Sequence, residues 1–598
     1  MSFNQELKDR FERMAGLLEL TGANRFKVNA YAKAARVIDD QARDLTEIAD
    51  QPSELTAIEG IGKGIAEKIG EYAGSGAIAE LQELESKVPA GLLDVMEIPG
   101  VGPKTAKAMW DKLDITDLDG LRTALDDGSI LDVPRMGQKA ADKIKENLAF
   151  AEQAGRRLHL GLAQPIADEL VARMQELDGV ERVAFAGSLR RGKETIGDID
   201  LLCVASDAEA AREAFCTHES VIQVIGRGET KCSVRVRLES NARRWKNMFS
   251  DDDEQSVQVD LRLVPKESWG AALMYFTGSK EHNIKLRERA IRQGLTLNEY
   301  GLFEDDGESD EPPQKSGKSP VASESEESVY IKLGVPFVPA ELREDRGEVG
   351  QEPSADLITV NAIKSELHAH TTESDGRLSL HELVQNAIDR GFHTIAVTDH
   401  SKSSAQAGGL DENRLKQQRE AIEKARDEFG DQIQILHGSE VDIHADGSLD
   451  YDDDVLFWLD WVVASPHASL QQDPKKATER LIRALEHEAV HILGHPTGRI
   501  ISRRPGLEPN MQEIFKAAAE HEKALEINAH WLRLDLRDTH VRAALDAGCL
   551  IAIDCDVHEA RDFDNIRYGV ATGRRGWLTE ERCINAWSRG ELDEWRAS

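Results

Sequence analysis

The stretch GSLRRGKETIGDIDLL, residues 187–202, joins a glycine-serine turn with two adjacent arginines to a strand that carries two aspartates. Because side chains alternate along a strand, Asp198 and Asp200 lie on one face and the apolar residues around them on the other. A later strand, VQVDLRLV, has its apolar side chains on one face and places Asp260 on the polar face. We therefore predict three carboxylates close together on one sheet.

Three clustered carboxylates repel one another unless divalent cations lie between them. Hard oxygen ligands of this kind suit Mg²⁺ or Mn²⁺. Two such ions about 4 Å apart stabilise both the attacking and the leaving oxygen of a phosphoryl transfer. The preceding turn offers backbone N–H, hydroxyl and guanidinium donors for phosphate oxygens. An isolated D-x-D is usually a polar strand face, but its combination with GSLRRG favours a two-metal site.

Length and composition indicate a multidomain protein, since 598 residues suggest about four domains of ordinary size. Neither an apolar run that could span a bilayer nor a secretory signal is present, so we expect a cytoplasmic protein without a membrane partner. The six cysteines are scattered without a CxxC pair, which favours reduced thiols.

The net charge of −35, from 74 basic and 109 acidic residues, argues at first against nucleic-acid binding. Counterion release needs Lys and Arg near phosphates. Acidic residues spread along the whole chain are also typical of a cytosol at very high salt, where charge repulsion is screened. We interpret the acidity as halophilic, and a protein that avoids DNA is the alternative.

The first 150 residues have helical spacing of apolar positions and three similar Gly-rich breaks. These are IEGIGKGIAEKI (58–69), IPGVGPKTAKAM (98–109) and the weaker VPRMGQKAADKI (133–144). The repeat is the helix-hairpin-helix pattern, whose glycines let a phosphate approach the N–H groups of a helix start. One copy alone would be a helix cap, but the repetition favours sequence-independent DNA binding. The predicted DNA contacts are Gly60, Gly62, Gly100, Gly102 and Lys104.

Histidines concentrate late in the chain, where fifteen of the 18 follow residue 360. Several come directly after strand-like apolar runs, and helical stretches such as RLKQQREAIEKARDEF separate the runs. This alternation predicts a barrel with ligands at the strand ends. Imidazole together with carboxylate suits Zn²⁺, Mn²⁺ or Fe²⁺. A lone histidine is more often structural, but recurrence at six strand ends favours a metal centre.

GSLRRGKETIGDIDLL, GETKCSV (228–234), VDLRL and MYFTGSKEHNIKLRERA (274–290) resemble the nucleotidyltransferase core of family X DNA polymerases, the family of DNA polymerase beta. The resemblance covers most of residues 1–345 in order and spacing. It implies that Asp198, Asp200 and Asp260 bind two Mg²⁺ or Mn²⁺ ions and that Asp260 helps to activate the primer 3′-hydroxyl. It also implies a DNA contact from Lys231, and nucleotide contacts from Gly187, Ser188, Arg191, Gly197, Tyr275, Phe276, Gly278, Asn283 and Arg287.

FKVNAYAKAARVI (26–38) and IEGIGKGIAEKI resemble the small N-terminal domain of this family, which removes a 5′-deoxyribose phosphate through a Schiff base. Lys68 occupies the position of the Schiff-base lysine, whereas a second lysine expected four residues earlier is Gly64. A lysine becomes nucleophilic only where burial or cationic neighbours lower its pKa. We predict DNA binding by this domain, with a lyase activity that Gly64 puts in question.

The histidine-rich part resembles the PHP (polymerase and histidinol phosphatase) domain, a seven-stranded distorted barrel with a three-metal phosphoesterase site. The resemblance implies up to three Mn²⁺, Zn²⁺ or Fe²⁺ ions. The ligands that it assigns are His368, His370, Asp375, His400, Glu440, His467, His495, Asp556 and His558. Glu366 stands where the family usually has Asp, and INAHW (527–531) is atypical, but neither departure removes a ligand.

A family X polymerase followed by a PHP domain is the arrangement of the bacterial and archaeal PolX family. We expect all-α helix-hairpin-helix domains, an α+β palm and an α/β barrel. The predicted domains are a lyase-like helix-hairpin-helix domain (1–82), a helical DNA-binding domain (83–155), a nucleotidyltransferase palm (156–265), a nucleotide-selecting subdomain (266–345) with an acidic disordered loop (304–328), a linker (346–360) and the PHP domain (361–598).

The resemblance implies a repair polymerase that fills short gaps, using deoxynucleoside triphosphates at gapped or nicked duplexes and primer ends. We expect a monomer, although the sequence itself does not give the oligomeric state. It also implies a 3′–5′ exonuclease, with apurinic-site cleavage as a further activity. Two alternatives stay open: a non-catalytic DNA-end scaffold and a small-molecule phosphatase. Incorporation of one nucleotide would dismiss the first. Phosphate release from histidinol phosphate without action on DNA would favour the second.

The halophilic interpretation predicts that DNA binding persists in molar KCl. Fixed backbone N–H contacts and aromatic packing depend less on counterion release than lysine-phosphate pairs do. Fluorescence anisotropy on a gapped duplex measures this affinity as salt is added. A collapse of affinity between about 0.1 and 1 M salt would show that the acidity has another origin.

Overall fold

The structure, a computed structural model, describes residues 3–39, 41, 43–96, 98, 101–134, 136–154, 157–238, 256–305, 312–351 and 356–597. The chain divides into two compact units, Met1–Arg156 and Arg157–Ser598. Among the described residues, no helix is both long and apolar enough to cross a membrane.

The described residues of the first unit are helical. Its α-helices are α1 (Phe3–Leu20), α2 (Arg25–Asp39), α3 (Pro52–Ala57), α4 (Lys63–Ser75), α5 (Ala79–Lys87), α6 (Leu92–Met96), α7 (Pro103–Leu113), α8 (Leu118–Asp126) and α9 (Gln138–Ala154). Leu7, Phe11 and Met14 of α1 recur at three- and four-residue spacing and are fully buried. This spacing places them on one helix face, which packs against α2.

The second glycine of each predicted repeat lies directly before a helix. Gly62 and Gly102 have extended backbone and precede α4 and α7, whose first N–H groups receive no side-chain cap from the described residues. Gly137 stands in the same place before α9. At Gly60, φ is 102°, and an added Cβ would lie 2.8 Å from a methyl of the α2 side chain Val37, so this close approach requires glycine. Gly100 lies outside the described residues.

The second unit begins with the palm, a mixed sheet. Its elements are β1 (Leu158–His159), α10 (Leu160–Gln175), β2 (Val180–Phe185), α11 (Gly187–Arg190), β3 (Thr195–Ile196), β4 (Ile199–Ala205), α12 (Ala208–Cys216), β5 (Val221–Arg227), β6 (Lys231–Arg237) and β7 (Ser256–Leu263). The five-stranded sheet has the order β2-β4-β7-β6-β5, with β4 parallel to β7. Apolar residues of α10 and α12 share one core with this sheet.

A smaller group of elements follows the palm. It contains α13 (Trp269–Thr277), α14 (Lys280–Arg292), β8 (Leu295–Asn298), β9 (Gly301–Glu304) and α15 (Glu326–Lys332). The acidic disordered loop predicted over 304–328 does not hold for residues 312–328, which have defined structure. Leu302 exchanges backbone hydrogen bonds with 321 and 322, and Glu326 is buried between Arg190 and Arg343. Composition alone gave no sign of these cationic partners; residues 306–311 lie outside the described part.

Parts of the predicted linker, residues 346–360, pack into the unit, and residues 352–355 lie outside the described part. Glu348 is fully buried, with its carboxylate 2.6 Å from Nδ1 of His282. Ile358 is also fully buried. Although the segment is polar in sequence, Arg346 and Glu348 have partners in the fold. Its described part is therefore not a free spacer.

The remaining elements form a parallel barrel. They are β10 (Ser365–Ala369), α16 (Leu380–Asp389), β11 (Thr394–Val397), α17 (Glu412–Phe429), β12 (Gln434–Asp442), α18 (Asp453–Leu456), β13 (Trp461–Ser465), α19 (Pro474–Leu485), β14 (Ile492–Leu493), α20 (Met511–Glu520), β15 (Ala524–Asn528), α21 (Asp538–Asp546), β16 (Leu550–Asp554), α22 (Ile566–Arg575) and α23 (Arg589–Ala597).

The seven strands β10 to β16 pair in sequence order and all run parallel. Val557, just after β16, bridges to Ala369 of β10 and nearly closes the barrel. Strands β10, β11, β13 and β15 are buried along their whole length, as expected for parallel strands covered on both faces.

The palm and the barrel share a continuous apolar core. Trp531 and Tyr568 of the barrel region pack with the palm residues Leu160 and Ala163. Gly161 lies at the centre of this contact, because an added Cβ would be only 2.2 Å from Cγ of Trp531. The palm and barrel therefore pack as one body.

We expect Gly161→Ala to destabilise the second unit by about 1–3 kcal/mol, because the new methyl forces Trp531 or α10 to move. Alanine favours a helix more than glycine does, so a loss of stability in this variant would come from the clash. The midpoint of thermal unfolding measures it. Gly226→Ala, where an added Cβ has open space, is the matched control. Equal midpoints for the two variants would contradict this packing.

Candidate active sites

Two neighbouring palm strands bring the predicted carboxylates together. The parallel register sets Asp200 of β4 opposite Asp260 of β7, and Asp198 precedes Asp200 by two residues. One oxygen of each carboxylate lies within 4.8 Å of an oxygen of the other two. Asp260 is 3% exposed, whereas Asp198 is exposed to solvent. The cluster is therefore buried at one end and accessible at the other.

Burial and repulsion from neighbouring carboxylates raise the pKa of Asp198 and of Asp200. Burial, with repulsion from Asp198 and Asp260, raises the pKa of Asp200 to about 6. Asp260 has two partners: Nζ of Lys231 at 2.5 Å from Oδ2, and Nε2 of Gln258, which donates to Oδ1 at 3.0 Å. Lys231, predicted to contact DNA, thus pairs with a carboxylate. An all-oxygen set with this repulsion fits hard divalent cations such as Mg²⁺ or Mn²⁺.

The arginine turn adjoins the carboxylates through its first residues. The N–H of Ala186 donates to the carbonyl oxygen of Asp200 at 2.8 Å. Gly187 has φ of 62°, and an added Cβ there would lie 2.7 Å from Oδ2 of Asp200. The close approach therefore requires glycine at the start of the turn.

Both arginines of the turn have ion-pair partners. Arg190 forms two hydrogen bonds with the carboxylate of Glu326, at 2.8 and 2.7 Å, and reaches Oγ1 of Thr277 at 2.7 Å. Arg191, predicted to contact the triphosphate, donates to Glu344 at 2.9 Å and to the Thr277 carbonyl at 2.7 Å. These two bonds hold the guanidinium beside Glu344 and Thr277.

The predicted sugar- and base-lining residues meet where α13 ends and α14 begins. Nδ2 of Asn283 donates to the Tyr275 carbonyl at 2.6 Å, and a Cβ on Gly278 would lie 2.9 Å from Oδ1 of Asn283. The Phe276 ring centre lies 4.4 Å from the guanidinium carbon of Arg262. Tyr275 and Phe276 are half-buried, so each keeps an accessible face.

The structure also places three other predicted nucleotide contacts, Gly197, Ser188 and Arg287. Gly197 is exposed directly before the carboxylates, and a Cβ there would lie 3.2 Å from Nη1 of Arg157. Ser188 is half-buried in α11. Nε of Arg287 donates to the Asn283 carbonyl at 3.4 Å, a long hydrogen bond.

All nine predicted ligands of the barrel lie in its strands or in the segments that follow them. His368 lies in β10, and His370 and Asp375 follow that strand. His400 follows β11, Glu440 lies in β12, His467 follows β13 and His495 follows β14. Asp556 and His558 follow β16. Parallel strands of a barrel place these residues on one rim. The structure groups their donor atoms in three overlapping sets: His370 with Asp375, His400 and His558; His368 with His370 and Asp556; and His400 with Glu440 and His467.

Glu440 is the centre of this cluster. Its Oε1 lies 3.0 Å from Nε2 of His495, 3.2 Å from Nε2 of His467 and 3.3 Å from Nε2 of His368. Although burial opposes its ionisation, the surrounding imidazoles hold the pKa of Glu440 well below its usual range. Burial by itself would lower the pKa of His467. The carboxylates of Glu440 and Asp442 have the larger effect and raise the pKa of His467 to about 10.

The buried donor atoms fit metal ions. Nε2 of His368 and His370, Oε2 of Glu440 and Oδ1 of Asp556 have no hydrogen-bond partner among the residues that the structure describes. Unpaired polar atoms are costly in a protein interior. Imidazole and carboxylate donors in this number suit Mn²⁺, Zn²⁺ or Fe²⁺.

Two of the ligands have an unusual backbone. His495 and Asp556 have φ of 25° and 52°, in the left-handed region that few residues other than glycine adopt. Such conformations persist where the surrounding structure holds them, and they are frequent in functional sites. The barrel therefore fixes these two ligands at a cost in backbone energy.

The sequence prediction missed the carboxylates that support the ligands. Nδ1 of His368 lies 2.7 Å from Oε1 of Glu526, and Nδ1 of His467 lies 2.7 Å from Oδ1 of Asp442. Such pairs fix the tautomer and the ring orientation of a ligating histidine. The sequence did contain one sign of these supporting residues: Glu526 and Asn528 are two positions apart on β15, so their side chains lie on one face of the strand. The Asn528 amide donates to the carboxylate of Asp556 at 3.0 Å.

The departure at Glu366 also has a structural role. Glu366 is fully buried, and its two carboxylate oxygens accept the N–H of Cys555 at 3.0 and 3.1 Å. Burial raises the pKa of Glu366 well above its usual range. The side chain joins β10 to the end of β16 and leaves the ligand set complete.

In the first unit, Lys68 pairs with a carboxylate. Its Nζ lies 2.6 Å from Oε2 of Glu80, and Nζ of Lys27 lies 2.6 Å from Oε1. Burial by itself would raise the pKa of Glu80. Hydrogen bonds from Lys27, Lys68 and Tyr31 have the larger effect and lower the pKa of Glu80 to about 2. The Lys68 amine must leave this carboxylate and lose a proton before it can attack a carbonyl. Lys104 is exposed at the start of α7.

Known families match these regions in chain order. The matches are a helix-hairpin-helix domain (residues 2–78), a SAM-like helix-hairpin-helix tandem (92–149), a DNA polymerase beta palm (163–266), a DNA polymerase beta thumb (272–344) and a PHP domain (366–530). The chain is 35% identical over 583 residues to the DNA polymerase/3′-5′ exonuclease PolX of Bacillus subtilis (strain 168), and the match covers 97% of each chain.

The chain belongs to the PolX family. Two DNA polymerases lambda are also similar to it. The one from Rattus norvegicus is 24% identical over 341 residues, 56% of this chain and 55% of its own. The one from Arabidopsis thaliana is 24% identical over 359 residues, 56% of this chain and 61% of its own. The predicted fold class of this PolX family member, with helix-hairpin-helix domains, a polymerase beta-like palm and a seven-stranded barrel, is confirmed.

In this PolX family member, we expect Glu526→Gln to weaken metal binding in the barrel about 10- to 100-fold, because His368 loses its carboxylate partner. The Mn²⁺ concentration for half-maximal primer shortening, measured without nucleotides, reports this affinity. Glu520→Gln is the control, since Glu520 is an exposed carboxylate 3.7 Å from Lys516 on α20. The same Mn²⁺ requirement in both variants would remove Glu526 from the support of the site.

Proposed function

We propose that this chain fills short gaps in DNA during repair by template-directed nucleotide addition, and that its PHP domain removes nucleotides from 3′ ends. One observation supports both parts: the chain carries two chemically different clusters of side chains that could hold metal ions. The all-carboxylate set adjoins an arginine turn and suits nucleotidyl transfer. The histidine-rich set suits phosphodiester hydrolysis.

In the palm, Asp198, Asp200 and Asp260 would hold two Mg²⁺ or Mn²⁺ ions. When bound, such ions stabilise the attacking and the leaving oxygens of a phosphoryl transfer. The N–H groups of the turn and the Ser188 hydroxyl bind the triphosphate, and Asp260 accepts the proton of the primer 3′-hydroxyl. That hydroxyl attacks the alpha phosphorus, and pyrophosphate leaves.

In the barrel, the nine predicted ligands would hold up to three Mn²⁺, Zn²⁺ or Fe²⁺ ions. When bound, such ions polarise water and the phosphate group. Glu526 and Asp442 keep His368 and His467 in the orientation that presents Nε2 to the site. The oxygen of a water molecule bonds to phosphorus, the bond from phosphorus to the 3′ oxygen breaks, and that oxygen takes a proton. The products are a nucleoside monophosphate and a primer that is one nucleotide shorter with a free 3′-hydroxyl.

The helix-hairpin-helix repeats hold the DNA without reading its sequence. The exposed glycines Gly62 and Gly102 leave the helix starts behind them accessible to phosphate oxygens. Gapped or nicked duplexes and primer ends are the DNA partners, and deoxynucleoside triphosphates are the small-molecule substrates. Lyase activity at Lys68 and apurinic-site cleavage by the barrel stay predictions.

The deciding experiment follows a 5′-labelled primer on a one-nucleotide-gapped duplex in Mn²⁺ and molar KCl, with and without nucleotides. Asp260→Ala removes a palm ligand, so we expect it to abolish extension and leave shortening intact. His368→Ala removes a barrel ligand, so we expect the opposite. His521→Ala, an exposed histidine outside the ligand set, serves as the control and should keep both activities.

Other outcomes would contradict the proposal in distinct ways. A wild-type chain that binds the duplex but neither extends nor shortens the primer would favour the DNA-end scaffold. Phosphate release from histidinol phosphate without action on DNA would favour the small-molecule phosphatase. Loss of both activities in each ligand variant, with the control intact, would contradict two independent active sites.

A further inference from the structure

The PHP barrel contacts the arginine turn of the palm through Arg575, the last residue of α22. Nη1 of Arg575 donates to the carbonyl oxygen of Arg191 at 2.7 Å and lies 3.0 Å from Oε1 of Glu344. The same carboxylate oxygen accepts from Nε of Arg191 at 2.9 Å. On its other side, Arg575 donates to Asp538 at 2.9 Å. The Arg575 side chain is 3% exposed, so water does not compete effectively for these contacts.

The turn is held at both ends. At its start, Gly187 lies against Asp200, as described above. At its end, a Cβ on Gly192 would lie 3.1 Å from Cβ of Ala571, one helical turn before Arg575 on α22. The turn therefore lies between the strand that carries the palm carboxylates and a helix of the barrel.

Glu344 has two guanidinium partners, and one of them is the arginine predicted to bind the triphosphate. If Arg191 leaves Glu344 for a phosphate, Arg575 stays, and the buried carboxylate keeps a direct counter-charge. Lys193 and Arg346 add positive charge around it. Burial opposes the ionisation of Glu344, but these cations together hold its pKa well below its usual range.

We propose that Arg575 is a positioning residue for nucleotide binding in the palm: it fixes the backbone of Arg191 and keeps Glu344 paired when the Arg191 side chain binds the triphosphate. The PHP barrel then contributes to nucleotide affinity at the polymerase site in addition to carrying a site of its own. The inference rests on the proposed function, since it takes the turn as the triphosphate site.

Steady-state filling of a one-nucleotide gap, with the full-length chain, tests this proposal. In Arg575→Ala, Glu344 keeps Arg191 as its remaining direct partner, so the nucleotide must compete with a stronger ion pair. We expect the KM for the incoming nucleotide to rise about tenfold or more, with kcat nearly unchanged. Arg575→Lys retains a cation near Glu344 and should restore part of the affinity.

Arg574→Ala is the matched control. Arg574 is the neighbouring residue on α22 and also connects the barrel to the region before it, with Nε 2.8 Å from Glu341 and Nη1 3.1 Å from the Ile358 carbonyl. None of the contacts described for it reaches the turn. Its loss should leave the nucleotide KM unchanged, and primer shortening by the barrel should persist in every folded variant.

A nucleotide KM in Arg575→Ala equal to that of Arg574→Ala, with primer shortening intact, would overturn the proposal. Where Arg575→Ala does not fold, Arg575→Lys and Arg574→Lys make the same comparison, and equal KM values there would also overturn it. A wild-type chain that fails to extend the primer would instead overturn the proposed function, so the two failures are distinguishable.

Discussion

Parallel strand pairing places the functional side chains of both sites. In the palm, the register of β4 and β7 sets Asp200 beside Asp260. In the barrel, seven parallel strands bring residues separated by nearly two hundred positions to one rim. Parallel strands present their carboxyl ends in one direction, and segments after those ends converge. The same constraint thus builds an oxygen-only cluster in one domain and an imidazole-rich cluster in the other.

In both clusters, charged or polar groups lie close together at an energetic cost that bound metal ions would offset. The palm carboxylates repel one another, and Asp260 offsets this with Lys231. In the barrel, buried imidazoles and carboxylates neutralise one another in part, yet donor atoms such as Nε2 of His370 stay unpaired among the described residues. The fold tolerates this cost because deep packing of the barrel strands supports the rim.

The palm and the barrel are not independent modules joined by a spacer. Trp531 packs into the palm core, and the segment between the domains contributes Glu348 to a buried pair. One group of their charged contacts lies at the arginine turn, where Glu344 and Arg575 adjoin Arg191. The PHP barrel therefore also forms part of the surroundings of the arginine turn.

Local patterns in the sequence determined much of this. Strand alternation around GDIDLL and VQVDLRLV, the repeated glycine breaks and the recurrence of histidine after apolar runs are short-range signals. They indicated the palm carboxylates, the helix starts and a histidine-rich metal centre, while the resemblance to the PHP domain supplied the nine predicted ligands. The structure brings these residues together as three carboxylates in the palm and nine residues on the barrel rim.

Only the tertiary structure decided which distant charges meet. Glu526 supports His368 across 158 positions, and Glu326 is buried because Arg190 and Arg343 lie beside it. An acidic segment reads as disordered until its cationic partners are known, so composition misjudged residues 312–328. The partners of Arg191 were hidden for the same reason. Ion pairs between distant residues leave no periodic trace, because they depend on how sheets and helices pack and not on spacing along the chain.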